Sequence, residues 1–423
     1  MTRMARYALY FAPISNTPWW DAGCRWFGRN ALDGAEFPQT QIPGISRIQL
    51  AKLTARPRRY GFHATLKPPF ELADGFSESH LVDMAAAFCH TQRPIVLEDM
   101  RVRPIGDFLA LSPAGQNEEI KALAMRCVSF FDLLRAPPTA GELQKRRETG
   151  LTARQEALLQ RWGYPYVDEE YQLHMTLTDS IGALDEGSRN TIHEAAERRF
   201  AAAANTPLAI DGLTIFREEQ PGSPLLIWRH FPFNPVQPAS AMPAPGRLFY
   251  VVGPSGVGKD SLLQWVRQRV PADAGVVFAQ RTITRASHAS ETYEATDVDT
   301  FGKYAAAGRF SMVWKANDLY YGVRRGIEAN LKSGRDVIIN GSREYVPQLV
   351  QSFPDAQVVW IEADTATIQE RLVSRQRESG AALLRRIDRA LEFAAPTGQK
   401  VVRLDNSGPL DVAGQRLLEL LKL

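Results

Sequence analysis

The chain has 423 residues, of which 44% are hydrophobic, and this length exceeds one typical hydrophobic core, so we expect two or three domains. Its 50 Lys and Arg residues nearly balance 47 Asp and Glu, and the net charge of +3 argues against a general nucleic-acid binder. Three widely spaced cysteines, no apolar run long enough to cross a bilayer and no signal-peptide pattern at the N-terminus favour a cytoplasmic protein that does not enter a membrane.

The first half of the chain contains the same pattern twice. The stretch YGFHATLKPPF precedes a helical pattern and two strand-like runs, and YQLHMTLTDS precedes the same succession. Because side chains alternate along a strand, His63 and Thr65 point to one face, and His174 and Thr176 do likewise. We therefore expect two similar lobes that present both histidines to one shared cleft.

This pairing resembles the two-histidine (2H) phosphoesterase superfamily, which is named for paired His-x-Thr or His-x-Ser motifs, and the likeness extends over residues 7–233. It is strongest for a branch linked with phosphonate metabolism. The resemblance implies an α+β, two-lobed domain that hydrolyses a cyclic phosphodiester. One imidazole would take a proton from water while the other gives one to the leaving oxygen, and Thr65 and Thr176 would bind phosphate oxygens. We expect no metal cofactor in this half, because no ligand spacing lies nearby.

Basic and aromatic residues flank the first motif. Arg58, Arg59, Tyr60 and Lys67 are candidates to bind a second phosphate of the substrate, although a solvated basic edge has the same composition. Five further histidines have no matched partner in the repeat, and we interpret them as structural or surface residues: His80, His90, His193, His230 and His288.

The stretch FNPVQPASAMPAPG, residues 233–246, is rich in Pro and Ala and carries no charge, which is typical of a semi-rigid linker. The sequence thus predicts a phosphoesterase-like domain over 1–233, a linker over 234–246 and a second domain over 247–423.

The second domain opens with a phosphate-binding pattern. An apolar strand, residues 248–252, enters GPSGVGKDS, and a helical pattern follows. Glycines let backbone N–H groups surround phosphate oxygens, while the helix N-terminus and Lys259, a candidate catalytic residue, add positive charge. We expect seven residues of the loop to bind ATP: Gly253, Ser255, Gly256, Gly258, Lys259, Asp260 and Ser261.

Asp260 stands where a P-loop usually has the Ser or Thr that binds Mg²⁺. A carboxylate is also a suitable Mg²⁺ ligand. The strand DVIINGS ends in Asn340, at a place where an acid is usual, so we interpret Asp260 as a relocated metal ligand. The alternative is that Asp260 only caps the helix and that Ser261 serves the metal.

The rest of this half resembles the guanylate-kinase-like branch of nucleoside monophosphate kinases, through RTITR, GRFSMVWKANDLYYG and ERLVSRQRESGAALLRRIDRA. The resemblance implies an α/β P-loop kinase with a parallel sheet and a lid, and it places the acceptor beside Arg285, Tyr320 and Tyr321. The lid segment holds six arginines: Arg371, Arg375, Arg377, Arg385, Arg386 and Arg389. Three of them match the lid pattern best and are expected to stabilise the transferred phosphoryl group: Arg375, Arg377 and Arg386.

One departure from that branch concerns the acceptor. Guanylate kinases carry a glutamate that binds guanine two residues after the Phe that corresponds to Phe310, and Met312 stands at that place here. A thioether cannot accept the two N–H donors of guanine. Met312, WKANDLYYG, NGSRE and the Gly-Lys-Asp loop together resemble ribose 1,5-bisphosphate phosphokinase. That family of phosphonate catabolism transfers a phosphoryl group from ATP to ribose 1,5-bisphosphate and makes phosphoribosyl diphosphate.

Together the two resemblances imply a bifunctional enzyme that acts on phosphorylated ribose. The first domain would open 5-phosphoribosyl 1,2-cyclic phosphate to ribose 1,5-bisphosphate, and the second would phosphorylate that product with ATP and Mg²⁺. Alternatives stay open: the first domain as an RNA 2′,3′-cyclic or 2′–5′ phosphodiesterase or as a non-catalytic phospho-ligand module, and the second as a guanylate kinase. The sequence also leaves open whether the chain forms a homodimer, whether the intermediate passes between domains, and which histidine is the acid.

Overall fold

A computed structural model of the chain describes residues 5–13, 15–115, 117–148, 150–234, 242–254, 256–285, 293–316, 318–374 and 401–423. The chain divides into two compact units. The first comprises Met1–Ala73 and Leu81–Pro243, and the second comprises Asp74–His80 and Ala244–Leu423. No helix of the described residues has the length and apolar character needed to cross a membrane.

The first unit combines nine strands with eight helices among its described residues. The strands are β1 (Arg6–Phe11), β2 (Ala64–Glu71), β3 (Ile95–Leu97), β4 (Arg101–Ile105), β5 (Phe108–Ser112), β6 (Met175–Thr176), β7 (Leu208–Ile210), β8 (Gly212–Glu218) and β9 (Leu226–Pro232). The helices are α1 (Pro18–Phe27), α2 (Arg47–Leu53), α3 (Ala55–Tyr60), α4 (Glu78–His90), α5 (Glu118–Phe131), α6 (Ala140–Arg147), α7 (Ala153–Trp162) and α8 (Glu186–Ala204), the first residues of α4 being assigned to the second unit. Short 3₁₀ helices cover Asp132–Leu134 and Asp168–Glu170.

The strand pairing of the first unit has an internal two-fold pattern. One sheet has the order β2-β1-β8-β9 and another the order β4-β5-β6, while β3 and β7 pair with each other. The strands β1 to β4 and β5 to β8 therefore form two repeats that exchange their last strand: β8 joins β1 and β2, and β4 joins β5 and β6. The segments that follow the two histidine motifs, β2-α4-β3-β4 and β6-α8-β7-β8, have the same order of elements.

Local sequence explains where the first helix begins and ends. The hydroxyl of Thr17 accepts a hydrogen bond from the backbone N–H of Trp20, and Pro18 occupies the first turn, where its missing N–H costs nothing. Gly28 ends the helix in the left-handed conformation, with φ 64°. The helix buries Trp20, Cys24 and their neighbours, and α1 packs against α8.

The second unit has nine strands and six helices within its described residues. The strands are β10 (Leu248–Val252), β11 (Val276–Phe278), β12 (Arg281–Ile283), β13 (Tyr293–Ala295), β14 (Phe310–Ala316), β15 (Leu319–Arg324), β16 (Asp336–Asn340), β17 (Gln357–Glu362) and β18 (Val401–Asp405). The helices are α9 (Lys259–Arg267), α10 (Val298–Ala306), α11 (Gly326–Lys332), α12 (Val346–Ser352), α13 (Thr365–Ser374) and α14 (Leu410–Leu421), and a 3₁₀ helix covers Arg343–Tyr345.

A five-stranded parallel sheet, β11-β16-β10-β17-β18, forms the centre of this unit and confirms the predicted parallel sheet. Its central strand β10 is buried along its whole length. Tyr250 and Val252 pack into one hydrophobic cluster, while Phe249 and Val251 pack into the cluster on the opposite face. Because both faces are covered, β10 is a continuous apolar run rather than an alternating one. A second sheet, β13-β12-β15-β14, lies in the same unit.

Met312 lies in the hydrophobic core of the second unit, which corrects its interpretation as a residue that faces the acceptor. Its side chain is 1% exposed and packs in the same cluster as Tyr250 and Trp314. The strand β14 is irregular between Phe310 and Met312. Alternation from there places Met312 and Trp314 on the buried face and Val313 on the exposed face. Spacing along the chain alone did not reveal which face of β14 is covered.

Candidate active sites

The two histidines of the first unit are held by the same local device. The Nδ1 atom of His63 lies 2.9 Å from the carbonyl oxygen of Gly61, and Nδ1 of His174 lies 2.9 Å from the carbonyl oxygen of Gln172. A carbonyl oxygen can only accept, so each neutral ring carries its hydrogen on Nδ1. The Nε2 lone pair is therefore the proton-accepting site of both rings, and at His63 it lies beside the Thr65 hydroxyl.

The structure brings the two motifs together. His63 precedes β2 and His174 precedes β6, and protonation of His174 would lower the pKa of His63 further, beyond the effect of burial. The Tyr171 hydroxyl, three residues before His174, donates a 3.0 Å hydrogen bond to the carbonyl oxygen of Thr65. The Thr65 hydroxyl lies 3.3 Å from Nε2 of His63. Thr176 is half-buried and pairs with Ala110 across the neighbouring strand.

Burial sets the charge state of both rings. Burial lowers the pKa of His63 to about 4, the Gly61 bond opposes this shift and His174 adds to it. Burial also lowers the pKa of His174, against its bond to Gln172. Both imidazoles are therefore neutral near pH 7 in the free protein. A bound phosphate anion favours the protonated form of a neighbouring ring, and this is the form that a general acid needs.

The residues that flank the first motif differ from one another in the structure. Tyr60 is half-buried, with its ring centroid 6.3 Å from that of His63. The Arg59 guanidinium pairs with the fully buried carboxylate of Glu218 and donates a 3.1 Å bond to the Ser223 carbonyl oxygen. Arg59 thus neutralises an internal charge, while its side chain stays 30% exposed.

Lys67 does not face a ligand site, which corrects its prediction as a substrate ligand. Its side chain is 1% exposed, and Nζ donates to the Val128 carbonyl oxygen at 3.1 Å and to Asp132 at 3.3 Å. Burial lowers the pKa of Lys67 to about 8, while Asp132 raises it. A buried ammonium is retained only where such partners exist. The ammonium of Lys67 therefore joins β2 to the end of α5.

In the second unit, the phosphate-binding loop joins β10 to α9. A side chain at Gly253 would bring its Cβ to 2.5 Å from the Ile361 carbonyl oxygen, and Gly258 adopts φ 96° at the start of α9. Glycine is therefore required at both ends of the described loop. The Lys259 ammonium donates to the carbonyl oxygens of Gly253 and Pro254, at 2.8 and 3.1 Å. Ser255 lies outside the described residues.

Asp260 is held by side chains from two other strands. Its carboxylate accepts a 2.6 Å hydrogen bond from Nδ2 of Asn340 and lies 3.6 Å from the Arg281 guanidinium. These contacts join the first turn of α9 to the end of β16 and to β12. The side chain is 59% exposed, and Ser261 is also exposed.

The side chains of Asp260 and Asn340 provide oxygen ligands of the kind that Mg²⁺ prefers. Asp260 supplies carboxylate oxygens, and Oδ1 of Asn340 is buried without a hydrogen-bond partner among the described residues. Hard oxygen donors of this kind suit Mg²⁺, directly or through its water shell. Sequence reasoning treated Asn340 only as a missing acid and left Arg281 out of the site. Each becomes visible only when β12 and β16 lie beside the loop.

The predicted acceptor residues lie on the second sheet and its connections. Nε of Arg285 donates to the Tyr293 hydroxyl at 3.3 Å, and its guanidinium lies 4.8 Å from the Tyr293 ring centroid. Tyr320 is 37% exposed. Tyr321 stacks on Trp314 with ring centroids 5.5 Å apart and planes within 5° of parallel.

Arg371 is the one lid arginine whose side chain the structure describes. Its Nη1 atom donates to the carbonyl oxygens of Val257 and Asn406, at 3.2 and 2.9 Å. Arg371 thus supports the phosphate loop from behind. The other predicted lid arginines lie outside the described residues: Arg375, Arg377, Arg385, Arg386 and Arg389.

A central parallel strand that runs through a glycine loop with its lysine into a helix defines the class of P-loop α/β proteins. A protein named ribose 1,5-bisphosphate phosphokinase PhnN from Janthinobacterium sp. (strain Marseille) is 58% identical over 420 residues, which cover 99% of this chain and 93% of that protein. A protein of the same name from Laribacter hongkongensis (strain HLHK9) is 36% identical over 98% of this chain and 96% of its own length. The chain belongs to the family of the ribose 1,5-bisphosphate phosphokinases PhnN.

Shorter relatives and the N-terminal match complete the comparison. The protein of that name from Thiobacillus denitrificans (strain ATCC 25259 / T1) is 41% identical over 177 residues, which cover 42% of this chain and 93% of its own length. Residues 65–226 match a family described as a protein of unknown function (DUF1045). A guanylate kinase from Anaplasma phagocytophilum has a TM-score of 0.33 at 16% identity over 43% of this chain and 87% of its own, a likeness too slight to support an argument.

Proposed function

We propose that the chain is a bifunctional enzyme. The C-terminal unit transfers the γ-phosphoryl group of ATP to ribose 1,5-bisphosphate. The N-terminal unit hydrolyses a cyclic phosphodiester, for which 5-phosphoribosyl 1,2-cyclic phosphate is the proposed substrate. The product of hydrolysis is then the acceptor of the kinase, and the end product is phosphoribosyl diphosphate.

The kinase proposal is supported by the family and by the loop. In the transfer, an oxygen of the 1-phosphate attacks the γ-phosphorus, a P–O–P bond forms at C1, and ADP leaves. Backbone N–H groups of the loop and the Lys259 ammonium bind the nucleotide phosphates. Lys259 now contacts the loop carbonyls of Gly253 and Pro254, so it would exchange these partners for phosphate oxygens when ATP binds.

Asp260 and Asn340 are the residues that would hold Mg²⁺ or its waters. The ion, when bound, neutralises charge on the nucleotide phosphates. Arg281, whose guanidinium lies 3.6 Å from the Asp260 carboxylate, would add positive charge beside the nucleotide phosphates. Asp260 is a charged ligand where other P-loops have a neutral hydroxyl. We therefore expect the site to bind a divalent cation more tightly with Asp260 than without it.

The choice of a sugar acceptor is supported by the absence of a base-reading acid on β14, whose sequence FSMVWKA contains no carboxylate. The nearby carboxylate of Glu294 accepts from Arg324 at 2.5 and 3.0 Å and from the Thr282 hydroxyl at 2.7 Å. It is therefore engaged within the sheet. Among the described residues, the strands of this sheet thus offer no free carboxylate to the N–H donors of a guanine base.

The acceptor assay tests the kinase proposal. Purified full-length protein with Mg-ATP should phosphorylate ribose 1,5-bisphosphate, and GMP should react at least tenfold more slowly. The Lys259→Ala variant should lose transfer with both acceptors. A GMP rate equal to the sugar rate contradicts the proposed acceptor.

The phosphodiesterase proposal rests on one observation: two histidines in equivalent positions of a repeat, each with Nδ1 tied to a carbonyl oxygen and Nε2 left for proton transfer. In the reaction, water attacks phosphorus while one imidazole takes its proton. The ester bond breaks, and the other imidazole protonates the leaving oxygen. Thr65, whose hydroxyl lies beside Nε2 of His63, would bind a phosphate oxygen.

Turnover of the cyclic phosphate by the full chain tests this second proposal. His63→Ala and His174→Ala should each lose at least about 10²-fold in rate, because each removes a general acid or base. EDTA should leave the hydrolysis unchanged in a Lys259→Ala background, where the kinase step is removed. Full activity of either histidine variant contradicts the proposal.

A further inference from the structure

The two repeats place different side chains beside their histidines. Tyr10 on β1 lies opposite Thr65 of β2, and Ala110 on β5 lies opposite Thr176 of β6. Residues that face each other in neighbouring strands share one side of the sheet. Tyr10 and Ala110 therefore hold equivalent positions next to the two motifs. The first repeat carries a phenol ring there, and the second carries only a methyl group.

The ring of Tyr10 covers His63. The two ring centroids are 3.8 Å apart, and the planes are inclined by 21°, so the rings stack. Tyr10 is 1% exposed, which means that its far side is covered by protein. Phe216 contributes a second ring at 6.1 Å from His63. For His174 the ring contact is with Phe108, at 5.9 Å and inclined by 50°, a looser arrangement.

The groups around His63 favour its neutral form. His174 faces it from the second motif, Tyr60 from the end of α3, and the Thr65 hydroxyl from β2. Burial raises the pKa of Tyr10 well above its usual value, so its phenol stays uncharged and gives no counter-charge to an imidazolium. Tyr60, Tyr164, Arg6 and Glu218 act electrostatically on Tyr10. Glu218 lies 3.4 Å from Arg6 and also pairs with Arg59.

We propose that Tyr10 makes the two histidines unequal, so that His63 acts as the general base and His174 as the general acid. This inference rests on the proposed phosphodiesterase activity. Nε2 of His63 takes a proton from the attacking water as the new O–P bond forms. The ester P–O bond breaks, and the leaving oxygen takes the Nε2 proton of His174. Tyr10 takes no part in the proton transfer. It is a positioning residue that stacks on one face of the His63 ring and keeps water away from that face.

Histidine titration tests the role of Tyr10 without any need for turnover. The full chain is labelled with ¹⁵N-histidine, the two signals are assigned with His63→Gln and His174→Gln, and both are titrated by NMR. In the unaltered protein, His63 should stay neutral to lower pH than His174. Tyr10→Leu should move the His63 titration upward by at least one pH unit, while Tyr10→Phe, which keeps the ring face, should leave it nearly unchanged.

A matched control uses the second repeat. Phe108→Leu alters the ring beside His174, so it should shift the His174 titration and leave that of His63 in place. If Tyr10→Leu and Tyr10→Phe both leave His63 unshifted while near-UV dichroism shows a folded protein, Tyr10 does not set the charge state of His63 and the inference is wrong. The inference is also wrong if His174 is the histidine that resists protonation.

Leaving-group dependence tests the assignment of base and acid. An ester of p-nitrophenol needs no proton on departure, because its leaving group is weakly basic. For each variant, the loss of rate relative to the unaltered protein is measured with a p-nitrophenyl phosphodiester and with the cyclic sugar phosphate. The loss for His174→Ala should be at least tenfold smaller with the p-nitrophenyl ester. The loss for His63→Ala should be the same with both substrates. The reverse pattern contradicts the assignment. If the unaltered protein hydrolyses neither ester, the proposed function fails, and the titration still decides the part played by Tyr10.

Discussion

At the scale of single residues, a backbone carbonyl oxygen two positions before each histidine fixes which ring nitrogen can react. The bonds from His63 to Gly61 and from His174 to Gln172 have the same length, 2.9 Å. Gly61 adopts φ 81°, a conformation that non-glycine residues rarely adopt, so the turn that aims His63 depends on glycine. If the two imidazoles act as proposed, this orientation would need no reorganisation when a substrate binds.

The half-buried His63 ring, with its lowered pKa, should make the protein sensitive to acid. Its pKa is about 4 in the folded protein and about 6.5 in an unfolded chain, so falling pH drives protons onto the unfolded state. Stability is full above pH 6.5 and falls as pH drops towards 4, by up to about 3 kcal/mol from this residue. The unfolding free energy of the first unit is measured in urea between pH 6.5 and pH 4. In His63→Gln, it should decrease less over this range than in the unaltered protein. The exposed control His90→Gln should not show this smaller decrease, and equal slopes for both variants would contradict this account.

The carboxylate at position 260 should control the need for metal. We expect Asp260→Ala to raise the Mg²⁺ concentration for half-maximal kinase rate at least tenfold, because it removes a charged oxygen ligand. Asn340→Ala should act in the same direction but less strongly. Equilibrium binding of Mn²⁺ in the presence of ADP, followed by electron paramagnetic resonance, checks the same effect without turnover. An unchanged metal titration for Asp260→Ala together with a shifted one for Ser261→Ala would assign the metal to Ser261.

At the scale of elements, the ammonium of Lys67 links β2 to the C-terminal end of α5. The variant Lys67→Ala leaves the Val128 carbonyl oxygen without its bond and opens a cavity, so we expect the first unit to lose about 3 kcal/mol of unfolding free energy. Asp132 keeps its 2.7 Å bond from Arg135, which limits the loss. Chemical denaturation measures the change. Unaltered stability combined with weaker substrate binding would restore Lys67 as a substrate ligand.

The features that the sequence predicted well are those with local signatures. The loop between β10 and α9 combines an apolar strand, glycines and a lysine within one short segment, and the parallel sheet follows from its buried central strand. The paired His-x-Thr motifs were visible because the chain repeats them. Their place before β2 and β6 follows the same alternation of side chains.

The features that the sequence did not predict depend on what covers each face of a strand. Met312 and Lys67 each lie in a strand, where the sequence alone does not show which face is covered. In the structure, each of these side chains is 1% exposed. Tyr10 carries no motif, and its stacking on His63 arises only when β1 pairs with β2. The same holds for Asn340 at the end of β16, which donates a hydrogen bond to Asp260 at the start of α9. Pairing between distant strands is long-range information that periodicity does not contain.

At the scale of the whole molecule, each unit has its own hydrophobic core and its own candidate site. The phosphate loop lies in the second unit, and both histidine motifs lie in the first. A substitution in one site should therefore leave the other active. Lys259→Ala should abolish phosphoryl transfer and keep hydrolysis within twofold, and His174→Ala should do the opposite. Loss of both activities in either variant, with the protein still folded, would show that the two sites are not independent.

The central claim is that one chain carries out two consecutive reactions, and phosphorus NMR tests it most directly. The full-length protein is first mixed with 5-phosphoribosyl 1,2-cyclic phosphate alone, and Mg-ATP is added after hydrolysis has ended. The account predicts that the cyclic phosphate signal gives way to a second phosphomonoester signal beside that of the 5-phosphate. A diphosphate pair then appears as ATP becomes ADP. A cyclic phosphate signal that persists, or a diphosphate product that appears only when ribose 1,5-bisphosphate is supplied, would contradict the claim.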